Sequence, residues 1–529
     1  MADPSGGSVG ESNRYRRPAI SGLFDVLDQH VRDRPDARAL VVTGDRIPVS
    51  YGALAAVVDD MAAHLGSTGL RRGDAVGLVC ANTAEFVVAL LGAARAGLVL
   101  APMDPTLPRP QMSARLEGLG AQAILTGPPA VDAAPVAQFD IPTWELRVNI
   151  PVGGNATATL ETGSGVVPHP PGTASELSDQ DALVLFTSGS TNRAKMVPLT
   201  HTNVAASVRG ICASYELGPE DATVAVMPLF HGHGLLAVLL ASLASGGCVL
   251  LPERGRFAAH TFWDDMSAAA ATWFTAVPTI HEILVQRSAR EYPGPQAVPL
   301  RFVRSCSAPL TTATAQAMGR TFGAPVLSAY GMTETTHQAT SEPLPRRGLA
   351  KLGSVGQATG VDLRVVDPGG HTCPAGTVGE VWVHGPTVAR GYLADPTETA
   401  HSFIGGWFRT GDLGSLDEDG YLFVTGRIKN LVNRGGEKVS PEHVEAILAG
   451  CSGVTEAAVF AIPDATYGER VGAAVVAPRG GVGAEEILRH CRTLLAPFQI
   501  PDRVEVVTAL PHTAKGALDR RAVRDQFAR

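Results

Sequence analysis

Thr187-Ser188-Gly189-Ser190-Thr191-Asn192-Arg193-Ala194-Lys195 follows the apolar run Ala182-Leu183-Val184-Leu185-Phe186. The run reads as a buried strand. The nine residues after it read as a phosphate cradle. Small residues let the backbone come close to an anion, hydroxyls and backbone N–H groups donate to it, and the lysine adds charge. It is not a Walker loop, which needs G-x-x-x-x-G-K-[ST] opening a helix. Taken alone, the stretch is equally a Ser/Gly-rich surface turn, so the rest of the chain has to decide.

Upstream, short apolar runs alternate with longer amphipathic ones. Ala75 to Val79 reads as a strand, Thr83 to Ala96 as a helix and Leu98 to Pro102 as a strand. Pro110 to Leu119 then reads as a helix and Ala123 to Leu125 as a further strand. That rhythm implies parallel sheets between helices. Gly127 to Asp181 is rich in Pro, Gly, Ala and Thr with little period, and most of it is expected to be a surface excursion. Downstream the alternation resumes, with strands expected at Val224–Val226, Cys248–Leu250, Trp273–Thr275, Arg301–Val303 and Val326–Ser328.

Beyond Gly353 the pattern changes to alternating apolar and polar residues broken by turns such as Pro368-Gly369-Gly370, as in an antiparallel sheet or barrel. After Lys429 come a helix at Pro441–Ala449, strands at Glu456–Ala461 and Gly472–Ala477, and a helix at Ala484–Leu495. The expected fold class is α/β. A large N-terminal domain of stacked parallel-type sheets with helices (18–428) includes a β-rich, distorted barrel-like subdomain (353–426). A small mobile α/β domain (429–529) follows, and residues 1–17 are expected to be a disordered tail. No internal repeat is visible.

A chain of 529 residues exceeds what one hydrophobic core organises, which agrees with two domains. A net charge of −8 argues against nucleic acid or an anionic membrane as the main partner, so an anionic ligand has to be held by local charge. Seven scattered cysteines with no C-x-x-C pair suit reduced, mostly buried thiols and a cytoplasmic location. The most apolar stretch, Phe86 to Ala101, is interrupted by Gly92, Arg95 and Gly97 and is too short to span a bilayer.

Four further segments join the cradle: Tyr330-Gly331-Met332-Thr333-Glu334, Thr410-Gly411-Asp412, Gly426-Arg427-Ile428-Lys429 and Pro511-His512-Thr513-Ala514-Lys515-Gly516. They supply an aromatic face, hydroxyls, two carboxylates and three cations. Each is weak alone; their order and spacing together are not. With these motifs the chain resembles the adenylate-forming superfamily of acyl-CoA synthetases, luciferases and peptide-synthetase adenylation domains, over essentially Leu23 to Phe527. Within it, Met227 to Gly234, Phe274 to His281, Arg304 to Ser307 and Tyr330 to Gln338 look closest to oxalate–CoA ligases.

The resemblance implies attack of a carboxylate on the α-phosphate of ATP, followed by displacement of AMP by coenzyme A. It implies that Thr187, Ser188, Gly189, Ser190, Thr191 and Lys195 hold the β- and γ-phosphates. Ser307, Ala308, Pro309, Tyr330 and Gly331 would wall the adenine. Thr333 would take the α-phosphate, Glu334 a Mg2+ ion, and Asp412 with Arg427 the ribose. Lys429 would be the hinge, and Gly435, Gly436 and Glu437 the loop for the coenzyme A step. Monomer or homodimer is expected, with no nucleic-acid or membrane partner.

Polar groups stand where an acyl pocket is expected: His231, Ser305 and His337, with His233 and His281 near and read as core histidines. A small or dianionic acid needs donors at its far end, because an unpaired buried carboxylate is costly. A compact polar acid such as oxalate is therefore expected. The family's terminal Pro-Lys-Thr-x-x-Gly-Lys pattern departs here, with Ala517 at the last lysine. Three readings follow: a lysine deliberately replaced, compensation by Lys515 from about 6.5 Å along an extended chain, or a degenerate, non-catalytic binder of nucleotide or adenylate. A further alternative keeps adenylation but activates an aryl acid or nitrite.

Overall fold

The apolar run before the cradle forms the strand Asp181–Thr187, whose first five residues are buried. It pairs in parallel with Val99–Met103 and antiparallel with Lys195–Thr200. Thr187 stands opposite Lys195, at the facing ends of the two antiparallel strands. The computed structural model describes residues 18–42, 45–128, 139, 141–151, 156–162, 176–187, 194–345, 350–478, 481–512 and 518–528. Ser188, Gly189, Ser190, Thr191 and Ala517 lie outside them, as does the 1–17 tail.

From the cradle strand a seven-stranded sheet continues through Val99–Met103, Ala75–Val79, Ala123–Thr126, Thr143–Asn149 and Thr157–Thr162. The crossovers between its parallel strands are the helices Ala84–Arg95 and Arg109–Leu119, because parallel neighbours cannot be joined by a tight turn. Ala84–Arg95 is buried continuously from Phe86 to Ala94, as a helix packed on all sides must be. Within 127–181, two segments not anticipated as strands, Thr143–Asn149 and Thr157–Thr162, pair antiparallel and extend the sheet. Trp144 and Leu146 are buried between exposed Glu145 and Arg147, a period of two that the flanking Pro- and Gly-rich segments obscure.

A second sheet runs Ala222–Val224, Cys248–Leu250, Arg38–Val42 and Ile47–Ser50. A third places Trp273–Ala276, Phe302–Ser305 and Val326–Tyr330 in parallel and ends in two short antiparallel strands, Thr340–Ser341 and Gln357–Ala358. The alternating segment forms a five-stranded antiparallel sheet of Asp362–Val366, Gly379–His384, Phe403–Ile404, Trp407–Leu416 and Leu422–Arg427.

The C-terminal sheet has its own apolar core, including Val432, Val439, Val444, Leu448, Val471 and Ile487. Its strands Glu456–Asp464 and Gly468–Val476 are one hairpin. The helix Pro441–Ala449 starts where it does because Ser440 caps the His443 N–H and Pro441 fills the first turn. All seven cysteines are free thiols, six of them buried. Among the described residues no helix is long and apolar enough to cross a membrane.

Candidate active site

Asp412 lies on Trp407–Leu416 directly opposite Arg427 on Leu422–Arg427, so the two side chains are cross-strand neighbours. The carboxylate is 2% exposed. Tyr330, at the end of Val326–Tyr330, donates its hydroxyl to Oδ2 at 2.6 Å. Arg427 Nε stands 2.7 Å from Oδ1, close enough to pair charge but off the N–H axis, which leaves that oxygen a lone pair for a ligand hydroxyl. Burial pushes the Asp412 carboxyl above its ordinary range, and Arg427 and the Tyr330 hydrogen bond only partly offset this. The end of one strand and the middle of another therefore bring an aromatic ring and a carboxylate together.

Ser307, Ala308 and Pro309 follow the strand Phe302–Ser305 and are exposed, so their backbone is open to a planar ligand. Gly331 has no room for a side chain: a Cβ there would stand 1.8 Å from the His337 carbonyl oxygen. The loop thus folds back on itself, with Ala339 N–H donating to the Tyr330 carbonyl. Thr333 opens the short turn Thr333–Thr335 and is half-buried, and Glu334 in the same turn is buried.

Two residues missed in the sequence complete this side. Tyr392 donates to Glu334 Oε1 at 2.9 Å, and its ring lies 4.5 Å beneath Lys195 Nζ. Glu398, near the start of the helix Pro396–Ser402, pairs with Lys195 at 2.5 Å. Burial raises the Glu334 carboxyl, with Lys195 and Arg427 among the charges that oppose it. Lys429 follows Arg427 in the turn Ile428–Asn430. Its ammonium is lowered first by burial and then by Arg427, and it also feels Asp412, Lys195 and Glu334. Five of the expected ionic residues therefore share one electrostatic neighbourhood.

The polar groups expected to meet the acid gather around a residue not singled out in the sequence. Arg304 is fully buried on Phe302–Ser305. Its Nε donates to Tyr215 Oη at 2.8 Å, Nη1 to Thr275 Oγ1 at 3.1 Å, and Nη2 to Gln338 Oε1 at 3.0 Å. His233 Nε2 lies 3.2 Å from Nη1 and His337 Nε2 lies 3.1 Å from Nη2. No carboxylate pairs with it among the described residues. His233, expected as core, belongs to this network and joins it to Ser307 Oγ at 3.1 Å. His281 behaves as the expected core residue, bonded to the Arg304 carbonyl at 3.1 Å.

His231 is half-buried with its ring edge against Phe230 at 4.6 Å. Ser305 Oγ is buried with no hydrogen-bond partner. His337 is buried at φ +77°, in the left-handed region that few non-glycine residues enter.

Gly435 and Gly436, at φ +60° and +96°, form the two-residue tip between Val432–Arg434 and Glu437–Val439, a turn that needs both positive angles. The described contacts of this tip run to Tyr467 and do not bring it, or exposed Glu437, to Asp412 or Lys195. The bridge His512↔Leu518 brackets Ala517.

Residues 27–393 match the profile of the AMP-binding enzymes, and residues 443–517 that of the AMP-binding enzyme C-terminal domain. The chain belongs to the AMP-binding enzyme family. Similar proteins include an oxalate–CoA ligase of Arabidopsis thaliana, 41% identical over 96% of this chain and 98% of its own. An oxalate–CoA ligase of Saccharomyces cerevisiae is 37% identical over 87% and 88%. Among solved structures, ATP-bound MatB from Rhodopseudomonas palustris superposes with a TM-score of 0.81 at 29% identity, covering 96% and 99% of the two chains. The o-succinylbenzoate CoA synthetase of Bacillus subtilis, in complex with an acyl-adenylate, gives 0.78 at 27%, covering 95% and 98%.

Membership of this family makes Asp412 a testable nucleotide contact. Its raised carboxyl means its contribution to stability is full below the ordinary carboxylate pKa and is lost as pH rises through the raised value. Donors from a ligand favour the ionised form. ATP affinity is therefore expected to fall as pH drops through a value above the usual aspartate range, and Asp412→Asn to lack that limb; titration calorimetry from pH 4.5 to 7.5 checks both. A flat profile in the unmodified protein would contradict the assignment.

Proposed function

We propose that the chain is an AMP-forming acid–CoA ligase for a compact polar carboxylic acid, oxalate before others. One observation carries the acid assignment: the acyl end is closed by a buried guanidinium and its ring of neutral polar groups, where a long acyl chain would need apolar walls. The similarity to two oxalate–CoA ligases supports the same choice.

In this proposal adenine lies between Tyr330 and the Ser307–Pro309 backbone, and the ribose hydroxyls donate to Asp412. The 187–195 segment holds the β- and γ-phosphates, with Lys195 exchanging Glu398 for phosphate oxygen. Thr333 donates to the α-phosphate. Alignment of the acid carboxylate with that phosphorus and neutralisation of the charge that accumulates there lower the barrier.

Glu334 fits a magnesium site of the kind nucleotides share. It is a buried carboxylate whose Oε1 is fixed by Tyr392. No cluster of three ligating side chains accompanies it among the described residues, so phosphate oxygens and water would complete the shell. Bound there, the ion supplies positive charge over the phosphate oxygens.

The unit from Lys429 onward would act as a lid, pivoting to bring Gly435, Gly436 and Glu437 to the adenylate for the coenzyme A step. Ala517 supports one alternative, a protein that binds nucleotide and adenylates poorly.

The test is an ATP–pyrophosphate exchange assay over oxalate, malonate, benzoates and nitrite, run with the chain and with Ala517→Lys. Exchange highest with oxalate, by about tenfold or more over benzoate as befits donors left unpaired by the wrong acid, is the expected result. Preference for benzoate or nitrite would overturn the acid assignment. Tight ATP binding without exchange in either protein would favour the non-catalytic alternative.

A further inference from the structure

Arg304 looks like a ready-made anion receptor, but its donors are spent. A guanidinium has five N–H groups and no acceptor. Here they meet Tyr215, Thr275, His233, Gln338 and His337, at 2.8, 3.1, 3.2, 3.0 and 3.1 Å. Reaching the arginine directly would cost an incoming carboxylate several of these bonds. The consequence falls on the histidines. Arginine can only donate, so the His337 Nε2 facing it has to be an acceptor, and the ring proton sits on Nδ1. The same holds for His233, whose Nε2 is shared by Arg304 and Thr275 and whose Nδ1 points at Ser307 Oγ.

We propose that Arg304 is a positioning residue that locks His337 as the neutral Nδ1–H tautomer, so that this N–H, and not the guanidinium, meets the distal carboxylate of the acid. The proposal rests on the acid reading above. His337 Nδ1 makes no hydrogen bond among the described residues, and the ring is held in place by Arg304 on Nε2 and by the stacked His233 ring. Donation from a cation to Nε2 polarises the ring and strengthens Nδ1–H as a donor. The positive charge thus reaches the substrate through the imidazole.

The charged and titratable groups around the ring keep it neutral. Arg304 stands on one side, the His233 ring stacks on His337 at 5.2 Å, and His231 and His281 lie within reach of His233. Tyr215 and Cys306 complete the surroundings of Arg304. Burial, then the arginine, hold His337 well below the ordinary imidazole range. Two stacked neutral imidazoles beside one cation are compatible; imidazolium rings would repel it.

Two experiments decide it. Long-range proton–nitrogen spectra of histidine-labelled protein without ligands, with the His337 signal assigned by its loss in His337→Asn, should show a protonated Nδ1 and a bare Nε2 that do not move between pH 6 and 8. A proton on Nε2, or a titration in that window, would overturn the proposal. It reads out with no acid present, so the fate of the oxalate assignment does not affect it.

The second experiment compares His337→Asn, which keeps an amide donor near Nδ1, with His337→Gln, which places it near Nε2. KM for the preferred acid should rise by only a few-fold in the first and by about tenfold or more in the second, the weight of one hydrogen bond to a charged group. KM for ATP should stay within about twofold in both, since neither removes a nucleotide contact. Equal losses, or the reverse order, would contradict the mechanism. In Arg304→Met, if it folds, the tautomer lock should be lost and a proton on Nε2 should appear in the His337 signal; a tautomer unchanged from wild type would contradict the arginine's role, and if the variant does not fold, the wild-type spectrum and the Asn/Gln pair still decide.

Discussion

Asp412→Ala is expected to weaken ATP binding by roughly 10²–10³-fold, about 3–4 kcal/mol, the scale of two hydrogen bonds to a charged acceptor. The buried carboxylate is the point where the Tyr330 strand end and the antiparallel sheet converge. Removing it takes away the acceptor for both ribose hydroxyls at once. The loss is not a by-product of a stranded cation, because the Arg427 side chain is 47% exposed and water can solvate it. Tyr330→Phe is the control: it breaks the 2.6 Å bond and keeps the ring, so a loss of several-fold at most is expected. Calorimetry with ATP, beside thermal melting to show that the variant is folded, reads the effect without requiring turnover. Unchanged affinity in a folded Asp412→Ala protein would remove the ribose assignment.

The second large effect runs the other way. Ala517→Lys is expected to raise pyrophosphate release by a factor of about 10²–10³, equivalent to about 3–4 kcal/mol of transition-state charge stabilisation. An alanine supplies no charge and no donor at the position where the family pattern ends in lysine. The thioester half-reaction from a preformed acyl-adenylate should be unchanged, since the charge concerned builds up at phosphorus in the first step. Single-turnover measurements of the two halves separate these. Equal and robust release from both proteins would mean that the first half-reaction does not use this position, and that Lys515 or another cation supplies the charge.

Much of the site was legible because its residues sit at turns whose chemistry is local. Gly411 before Asp412, at φ +69°, is chosen by backbone geometry, and that leaves a trace in the sequence. What stayed hidden was made by packing between distant elements. A lone arginine in a strand such as Phe302–Ser305 reads as a half-exposed surface residue. Its complete burial depends on Tyr215, Thr275, His233 and Gln338 arriving from four other segments. Tyr392 and Glu398 lie in a stretch with no motif, and only the fold carries them under Lys195. His233 was read as a satisfied core residue and is one; that it closes a network around Arg304 could not be told without knowing its neighbours. The hairpin Thr143–Thr162 went unseen for a different reason: its polar, Thr-rich second strand alternates too weakly to stand out between Pro- and Gly-rich segments.

On the proposed function, nucleotide is gripped between the Tyr330 strand end and Asp412, with its phosphates turned towards the 187–195 segment. Crystals of the full chain soaked with a non-hydrolysable ATP analogue and magnesium test it most directly. The expected density places the base against the Tyr330 ring and the Ser307–Pro309 backbone, both ribose hydroxyls on Asp412, and the γ-phosphate within reach of Lys195. Density for the analogue at any other place on the molecule, with the Asp412 carboxylate still empty, would contradict it.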